Sequence, residues 1–322
     1  MKRLAFVALI LLLPSTLCGQ GEERWRMAFW NVENFFDTWK DTLKDDGSFT
    51  PEGERHWIPR KYQKKKNNIY KTIAAMRWPA VVGLAEVEND YVLYDLCRNS
   101  PLRKMGYDYI HYESPDERGV DCALLYRVDR FEVFMTKIVQ VSDSTQGFYT
   151  RDVLLVGGVL RDAKGAGDSC FVLVMHWPSK LGGAEAEGHR MAIARRVNET
   201  MDHLQRTHPG ALVVAMGDLN ATSDEAPVSQ GLGFGGGLRN ALGFYDLVNT
   251  LPKGQGSYKY QGQWQYIDHV IANRELPVEV FAPDFLLVDD ETHLGRKPFR
   301  TYSGMRYVGG FSDHLPIIIR VE

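Results

Sequence analysis

This sequence has few cysteines, no large excess of positive or negative charge, and few long apolar runs. Its four Cys among 322 residues are too few for a disulfide scaffold, and no Cys-x-x-Cys spacing indicates a zinc or redox site. Lys and Arg number 38 against 41 Asp and Glu, so no global positive charge attracts nucleic acid. With 44% hydrophobic and 25% charged residues, the chain is neither disordered nor collagen-like. A globular protein remains, and a nuclease would need a locally basic groove or a bound cation.

The one long apolar run lies at the N-terminus. Lys2 and Arg3 precede the apolar residues 4–13, and mostly small or polar residues follow. This order is typical of a secretory signal peptide, and the run is shorter than the roughly 20 residues that span a bilayer as a helix. We therefore predict a signal peptide over residues 1–20 and an exported protein that is periplasmic, extracellular or at the outer surface.

The cysteines and the sequence after residue 20 bear on lipid attachment, membrane insertion and oligomerisation. Lipid attachment at Cys18 is the less favoured alternative, because the three residues before it depart from the usual lipoprotein pattern. Cys97, Cys122 and Cys170 leave at least one thiol unpaired, and the last two lie in apolar runs, where Cys acts as a small hydrophobe. No later run is apolar enough to cross a membrane, and no heptad pattern appears. We expect a monomer without stable membrane insertion.

Short apolar runs alternate with helical patterns through the rest of the chain. Helices are predicted over residues 62–76, after Pro59 at a helix-start position, and over residues 186–207. Residues 64–66, three Lys, are interpreted as a solvated helix face rather than a phosphate-binding patch. Hairpin-sized gaps between some strands predict mixed sheets. The predicted strands cover residues 27–32, 80–86, 121–127, 131–141, 153–160, 170–176, 212–217, 266–272, 278–281 and 316–321.

Polar clusters stand where six of these strands begin or end. Each cluster alone is an ordinary turn, but packed sheets bring strand ends to one edge, where open α/β sheets bind ligands. Carboxylates, His and Asn assembled there suit Mg²⁺ or Mn²⁺ rather than zinc, and they suit phosphoryl chemistry. The clusters are Asn31-Val32-Glu33-Asn34, Glu86-Val87-Glu88-Asn89, His176-Trp177-Pro178-Ser179, Gly217-Asp218-Leu219-Asn220, Tyr266-Ile267-Asp268-His269 and Ser312-Asp313-His314.

The order of these segments resembles the endonuclease/exonuclease/phosphatase superfamily, and most of all its secreted bacterial branch. The matching segments include Trp30-Asn31-Val32-Glu33-Asn34, Leu84-Ala85-Glu86-Val87, Arg118-Gly119-Val120-Asp121 and the four clusters that follow it, and they span residues 30–316. The resemblance implies the DNase I-like fold, a four-layer α/β sandwich of two packed mixed β-sheets flanked by helices. It also implies one domain over residues 21–322.

The resemblance implies roles for the matched polar residues. Glu86 falls on the principal metal-ligand position, and Glu33 and Asp313 fall on accessory acidic positions beside the metal. The expected ion is Mg²⁺, with Mn²⁺ or Ca²⁺ as alternatives. The catalytic positions are Asn31, which organises metal and phosphate; Asp218 and Asn220, which orient water and stabilise the transition state; Asp268 and His314, which form a couple; and His176, which contacts phosphate and protonates the leaving group.

Substrate contacts are less sharply implied. Asp121 is the candidate acid that orients His176, and Arg118 either binds phosphate or is structural. Ser179 belongs to the matched His-Trp-Pro-Ser segment. The aromatic side chains Trp177, Trp264, Tyr258 and Tyr260 either stack on bases and sugars or pack the loops. Clustered basic residues at Arg296, Lys297, Arg300 and Arg306 suit a phosphate backbone or a soluble loop equally.

The expected function is hydrolysis of a phosphoester by in-line attack of water, with nucleic acid as the expected partner. A secreted nuclease acting on DNA or RNA fits an exported enzyme best. A phosphatase or a lipid-headgroup phosphodiesterase, of inositol phosphate or sphingomyelin type, is the alternative, because loops and not the core chemistry set specificity. A non-catalytic binding protein on the same fold is the remote alternative.

Overall fold

The computed structural model describes residues 25–142, 148–162 and 164–321, so the predicted signal peptide and Cys18 lie outside the described residues. In chain order the strands are β1 (Trp25–Phe35), β2 (Val81–Val87), β3 (Tyr107–His111), β4 (Asp121–Arg127), β5 (Phe131–Val139), β6 (Val153–Arg161), β7 (Gly167–His176), β8 (Leu212–Asp218), β9 (Tyr245–Asp246), β10 (Tyr258–Tyr260), β11 (Gln263–Gln265), β12 (Asp268–Ala272), β13 (Val278–Val280), β14 (Leu287–Asp289), β15 (Arg296–Pro298), β16 (Tyr302–Ser303), β17 (Arg306–Tyr307) and β18 (Ile317–Val321). The α-helices are α1 (Pro59–Ala75), α2 (Asp90–Arg98) and α3 (Gly183–Thr207). Short 3₁₀ helices cover Gly47–Phe49, Pro101–Met105, Lys180–Gly182, Leu247–Thr250 and Asp284–Leu286, and a π-helix covers Pro227–Gly231.

Two six-stranded sheets form the body of the protein. The first sheet has the order β13-β18-β1-β2-β4-β3, and the second has the order β5-β6-β7-β8-β12-β9. Within them β1 pairs with β2 and β7 pairs with β8 in parallel, while the other pairs are antiparallel. Both sheets are therefore mixed, as predicted. The remaining strands form three small hairpins, β10–β11, β14–β15 and β16–β17.

Alternating side chains along each central strand build cores on both faces of its sheet. In β1, Met27 and Phe29 pack into the core between the sheets, while Ala28 and Trp30 pack under α1 and α2. A third core lies between the outer face of the second sheet and α3. Strands buried on both faces read as continuous apolar runs, which is why the sequence pattern located them. Helices, two sheets and a helix form four layers, confirming the predicted sandwich.

The helices follow the sequence pattern, with one correction. Helix α1 begins with Pro59 at its first turn, and α3 buries the apolar stripe of the predicted helix. The Lys run of α1 is not a solvated face, because Lys65 and Lys66 are buried. Lys66 Nζ lies 2.6 Å from Asp95 Oδ2, and Lys65 Nζ donates to the carbonyl of Phe311 at 2.6 Å. Carboxylate and carbonyl partners from distant segments make this burial tolerable.

The sequence pattern missed helix α2, strands β3 and β9 of the two large sheets, and the strands of the three small hairpins. Helix α2 follows directly on a polar cluster, and its start is set by the Asn89 side chain, which accepts a hydrogen bond from the backbone N–H of Val92. Strand β3 is half polar and lies at a sheet edge. Cys97, Cys122 and Cys170 are free and buried, in agreement with their role as small hydrophobes. Among the described residues, no helix is both long and apolar enough to span a bilayer.

Gly83 lies where the two sheets approach each other closely, and it gives a paired test of the core. A Cβ at Gly83 on β2 would lie 2.9 Å from Met216 Sδ and 3.2 Å from the methyl groups of Val174 on the opposite sheet. Gly83→Ala should therefore lower the free energy of unfolding by about 1–3 kcal/mol. Gly188→Ala is the matched control, since a Cβ there meets no atom within 4 Å. It should raise the free energy of unfolding by up to about 1 kcal/mol, because Ala has a higher helix propensity than Gly. Urea unfolding measures both, and equal effects would contradict the inter-sheet contact.

Candidate active site

Irregular pairing at the ends of β1 and β2 turns two acidic side chains out of the sheet. The strands pair regularly through Asn31 and Ala85, and then shift register before Phe35 and Val87. Within the shift, Glu33, Asn34 and Glu86 have φ values of 52°, 54° and 62°. Such left-handed backbone is costly for a non-glycine residue, and it clusters at functional sites. The backbone N–H of Asn34 donates to Glu86 Oε2 at 2.8 Å and fixes this carboxylate.

Strand register in the second sheet aligns three polar side chains in one row. Asp218, the last residue of β8, pairs with His176 on one side and with Asp268 on the other. Asn220 follows with φ 47°, and its backbone N–H donates to Asp218 Oδ1 at 2.9 Å. Its Nδ2 donates to the carbonyl of Trp177 at 3.0 Å. The turn after β8 is thereby tied to the turn after β7.

The first sheet reaches this row through Asn31. Its Nδ2 donates to Asp218 Oδ2 at 3.0 Å, and its Oδ1 accepts from the backbone N–H of Glu33 at 2.9 Å. Ser312 Oγ donates to the carbonyl of Asn31 at 2.7 Å and accepts from the backbone N–H of His314 at 3.0 Å. The segment before β18 is thus anchored beside the end of β1, and His314 enters the row.

His314 and Asp268 form the predicted couple. His314 Nδ1 lies 2.8 Å from Asp268 Oδ2, and His314 Nε2 lies 3.7 Å from Asp218 Oδ2. Burial by itself would lower the pKa of His314, but the carboxylates of Asp268 and Asp218 hold that pKa well above its usual value. Burial, reinforced by Asp268, raises the pKa of Asp218 to about 7 even though His314 acts in the opposite direction. His314 is therefore a cation. It lies beside the Asp218 carboxylate, which titrates near neutral pH.

His176 has a different environment, and its expected partner is wrong. Its Nε2 lies 3.6 Å from Asp218 Oδ2 and 4.0 Å from Glu86 Oε1, and its Nδ1 has no hydrogen-bond partner in the described part of the chain. Asp121 instead lies 3.1 Å from His111 Nε2 and accepts from the backbone N–H of Ser114, because the pairing of His111 with Ala123 brings the end of β3 beside the start of β4. Burial, together with nearby Arg151, lowers the pKa of His176 well below its usual value. His176 is therefore a neutral hydrogen-bond donor.

Glu33 and Asp313 lie together and are partly neutralised. Arg300 donates to Asp313 Oδ2 at 2.7 Å and lies 4.0 Å from Glu33 Oε1, and the backbone N–H of Thr301 donates to Glu33 Oε2 at 2.6 Å. Burial, reinforced by Asp313, raises the pKa of Glu33 to about 7. Of the basic residues noted near the C-terminus, Arg300 thus holds acidic groups, while Arg296 pairs with Asp284 on the surface.

The carboxylates near Glu86 and Asp313 fit a divalent cation. Glu86 Oε1 lies 3.9 Å from Arg118 and 4.0 Å from His176, both beyond hydrogen-bond distance, and Glu86 and Asp313 both line the cleft described below. Asp218, Asp268 and His314 also offer ligand atoms within 4.8 Å of one another, although Asp268 already binds His314. Carboxylate oxygens in excess over cations suit Mg²⁺, Mn²⁺ or Ca²⁺. Glu86 and Asp313 are the residues that would hold it.

A large cleft opens over these groups. Its volume is about 1220 Å³, and Glu86, His176, Asp218, Asn220 and His314 line it. Arg118 and Ser179 also line it, as expected of substrate contacts, with Arg118 donating to Asn34 Oδ1 at 3.0 Å.

Two expected substrate contacts are corrected. Trp177 is buried in the core under α3, so its ring packs the fold. Trp264 is not among the residues that line the described cleft, although the next residue, Gln265, is. In β11, successive side chains point to opposite faces, so only one of two neighbours can face the cleft.

Sequence reasoning missed Arg151 and Asp246, which hold the backbone beside the row through buried hydrogen bonds. Arg151 is buried, donates from NH1 to Asp116 Oδ2 at 2.6 Å, and donates from Nε to the carbonyl of His176 at 3.2 Å. His269 Nδ1 lies 3.1 Å from Asp246, and its Nε2 lies 2.9 Å from the carbonyl of Ala221, at the end of the turn after Asp218. The sequence carried no signal for Arg151 or Asp246, because both lie far along the chain from the residues they hold.

Comparison with solved structures gives the same fold. The chain is similar to a mannosyl-6-phosphatase of Bacteroides thetaiotaomicron, with 17% identity and TM-score 0.57 over 92% of this chain and 100% of the other. It is similar to the human Nocturnin catalytic domain, with 16% identity and TM-score 0.57 over 92% and 93%. It is similar to humanized D. rerio TDP2, with 17% identity and TM-score 0.56 over 92% and 98%. At such identities the likeness concerns the fold alone.

Sequence comparison supplies the family. The search of curated proteins gives no match. A model of the endonuclease/exonuclease/phosphatase family matches residues 26–322, nearly the whole chain, and members of that family hydrolyse phosphoesters. With the fold, the aligned strand ends and this match in agreement, the chain belongs to the endonuclease/exonuclease/phosphatase family.

Proposed function

We propose that the protein is an exported, metal-dependent phosphodiesterase that cleaves nucleic acid. The observation that carries the proposal is the row of His176, Asp218 and Asp268 on three adjacent strands, completed by His314 and faced by Glu86. This set offers a proton acceptor, a cation, a neutral donor and a metal-binding carboxylate within one cleft. In-line attack of water on phosphorus needs these groups. The basic-then-apolar order at the N-terminus supports export.

Proton transfer centres on Asp218. With a pKa of about 7, its carboxylate can accept a proton from the attacking water near neutral pH. Asn31, which donates to Asp218 Oδ2, fixes the orientation of this carboxylate. His314 lies 3.7 Å away as a cation held by Asp268. Positive charge placed there stabilises the negative charge that builds up on phosphate in the transition state.

The remaining groups bind the phosphate and the leaving group. Neutral His176 donates a ring N–H to a phosphate or leaving-group oxygen, and Arg118 at the cleft wall adds charge. Glu86 and Asp313 would hold the divalent cation, for which we propose Mg²⁺, with Mn²⁺ or Ca²⁺ as alternatives. When bound, the cation neutralises phosphate oxygens. Arg300 fixes Asp313 through a hydrogen bond of 2.7 Å and lies 4.0 Å from Glu33.

The size of the cleft supports nucleic acid over a small phosphoester. Pockets for small molecules typically measure about 300–1,000 Å³, whereas this cleft measures about 1220 Å³. A phosphatase of small phosphoesters, the activity named for the similar Bacteroides structure, and a lipid-headgroup phosphodiesterase both use the same chemistry and are the alternative functions. They differ from the proposal in substrate alone, so a substrate comparison distinguishes them.

Cleavage of a closed DNA circle tests the proposed activity. Circular single-stranded DNA incubated with the protein and Mg²⁺ should become linear and then shorter on a denaturing gel, and EDTA should prevent this because the metal is removed. Re-addition of Mg²⁺ beyond the EDTA concentration is the control and should restore cleavage. Hydrolysis of p-nitrophenyl phosphate with the circle intact would instead establish the phosphatase alternative.

Single substitutions test the assigned residues. Glu86→Ala, Asp218→Ala and His314→Ala should each lower kcat by at least about 100-fold, since each removes a metal ligand, a proton acceptor or a stabilising cation. Far-UV circular dichroism should stay unchanged, because the three side chains line a cleft rather than fill a core. Glu199→Ala is the matched control, a carboxylate on the exposed face of α3. Wild-type rates for all three variants would refute the assignment.

A further inference from the structure

Aromatic rings line the cleft from two separate parts of the chain. Tyr258 and Tyr260 project from β10, and the Tyr258 ring centroid lies 4.8 Å from that of His314. Phe148 and His189 also line the cleft and stack on each other, with ring centroids 3.8 Å apart and planes at 21°. Tyr260 is 54% exposed and lines the same cleft as the row, so a ligand in the cleft can reach its ring.

The Lys and Arg side chains in the described lining of this cleft already have acidic neighbours. Arg151 donates to Asp116, Lys180 pairs with Glu225, and Arg118 lies 3.9 Å from Glu86. Against these three side chains and the cationic His314, the lining carries five carboxylates: Glu86, Asp116, Glu117, Asp218 and Asp313. Beyond the reacting phosphate, the described wall therefore offers little free positive charge for further phosphates.

Exposed rings and few free basic side chains together disfavour the binding of a nucleic-acid duplex. Proteins that hold duplex DNA neutralise many phosphates with Lys and Arg, commonly about 6–10, and the base faces of a duplex are hidden in its stack. A single strand exposes base faces, and stacking on an aromatic side chain contributes to its binding without any phosphate contact. Aromatic rings lie beside the row, Arg151 and Lys180 are paired with carboxylates, and Arg118 is assigned to the reacting phosphate. These features match the second kind of ligand.

We propose that the cleft selects single-stranded nucleic acid and holds about two nucleotides of it. The phosphate between them lies at the row of His176, Asp218 and His314, and a flanking base stacks on Tyr260. This inference rests on the proposed nuclease function and adds the strand state of the substrate. It makes Tyr260 a residue for substrate binding and not for the chemical step.

Matched oligonucleotides test the strand preference. A labelled 12-mer should be cleaved in Mg²⁺ with a kcat/KM at least about tenfold higher than the same 12-mer annealed to its complement. The logarithm of KM for the single strand should rise with the logarithm of salt concentration with a slope of about 1, as expected for one or two phosphate contacts, and not the slope above 5 of a protein that contacts six or more.

Variants of Tyr260 test the stacking contact. Tyr260→Ala should raise KM for the single strand about tenfold with kcat within twofold of wild type, whereas Tyr260→Phe, which keeps the ring, should match wild type. Tyr94→Ala is the control, since Tyr94 is 51% exposed on α2 and lies outside the cleft lining. A merely structural role of Tyr260 would not separate KM from kcat in this way.

The outcomes distinguish this inference from the proposed function. Equal cleavage of strand and duplex, or a KM for Tyr260→Ala equal to that of Tyr94→Ala, overturns the single-strand inference and leaves the nuclease function intact. Hydrolysis of p-nitrophenyl phosphate without cleavage of either oligonucleotide overturns both. Cleavage of the single strand with the expected shift in KM supports both.

Discussion

A hydrogen bond between the two sheets ties the catalytic row together. Asn31 at the end of the first sheet donates to Asp218 at the end of the second, so both sheets must stop at the same level for the row to form. Strand register then brings His176 and Asp268 to either side of Asp218. A slip of one residue would turn these side chains to the other face of the sheet. The two sheets also approach each other closely at Gly83, where a Cβ would lie 2.9 Å from Met216 Sδ.

The site retains features that lower the stability of the fold. Glu33, Asn34, Glu86 and Asn220 hold left-handed backbone, at a cost of order 1–3 kcal/mol each. Buried carboxylates lose hydration, which is why the pKa values of Asp218 and Glu33 rise to about 7. The three hydrophobic cores on either side of the sheets supply the compensating stability. Of the four residues with left-handed backbone, Glu86 and Asn220 line the cleft.

Several basic side chains near the site contact backbone carbonyls and carboxylates of the protein itself. Arg151 holds the backbone at His176, and Arg300 and Lys65 lie among the acidic groups near Glu33. The buried pair of His269 and Asp246 anchors the turn that carries Asn220. Breaking such a buried pair leaves an uncompensated charge, so these residues hold the geometry firmly. The described lining of the cleft combines His176, Asp218 and His314 with aromatic rings.

The sequence by itself located ten of the twelve strands of the two large sheets, because strands buried on both faces are continuous apolar runs. It also determined the fold class and the polar residues of the row, because Glu86, Asp218, Asp268 and His314 stand at strand ends in the order of a known family. Tertiary structure alone decided which side chains meet. The partner of Asp121 proved to be His111, Trp177 proved to be core, and Lys65 and Lys66 proved to be buried, since each contact joins segments that pairing and packing bring together. Arg151 and Asp246 gave no local signal for the same reason: their partners are set by sheet register and inter-sheet packing, which are long-range properties that local residue patterns do not encode.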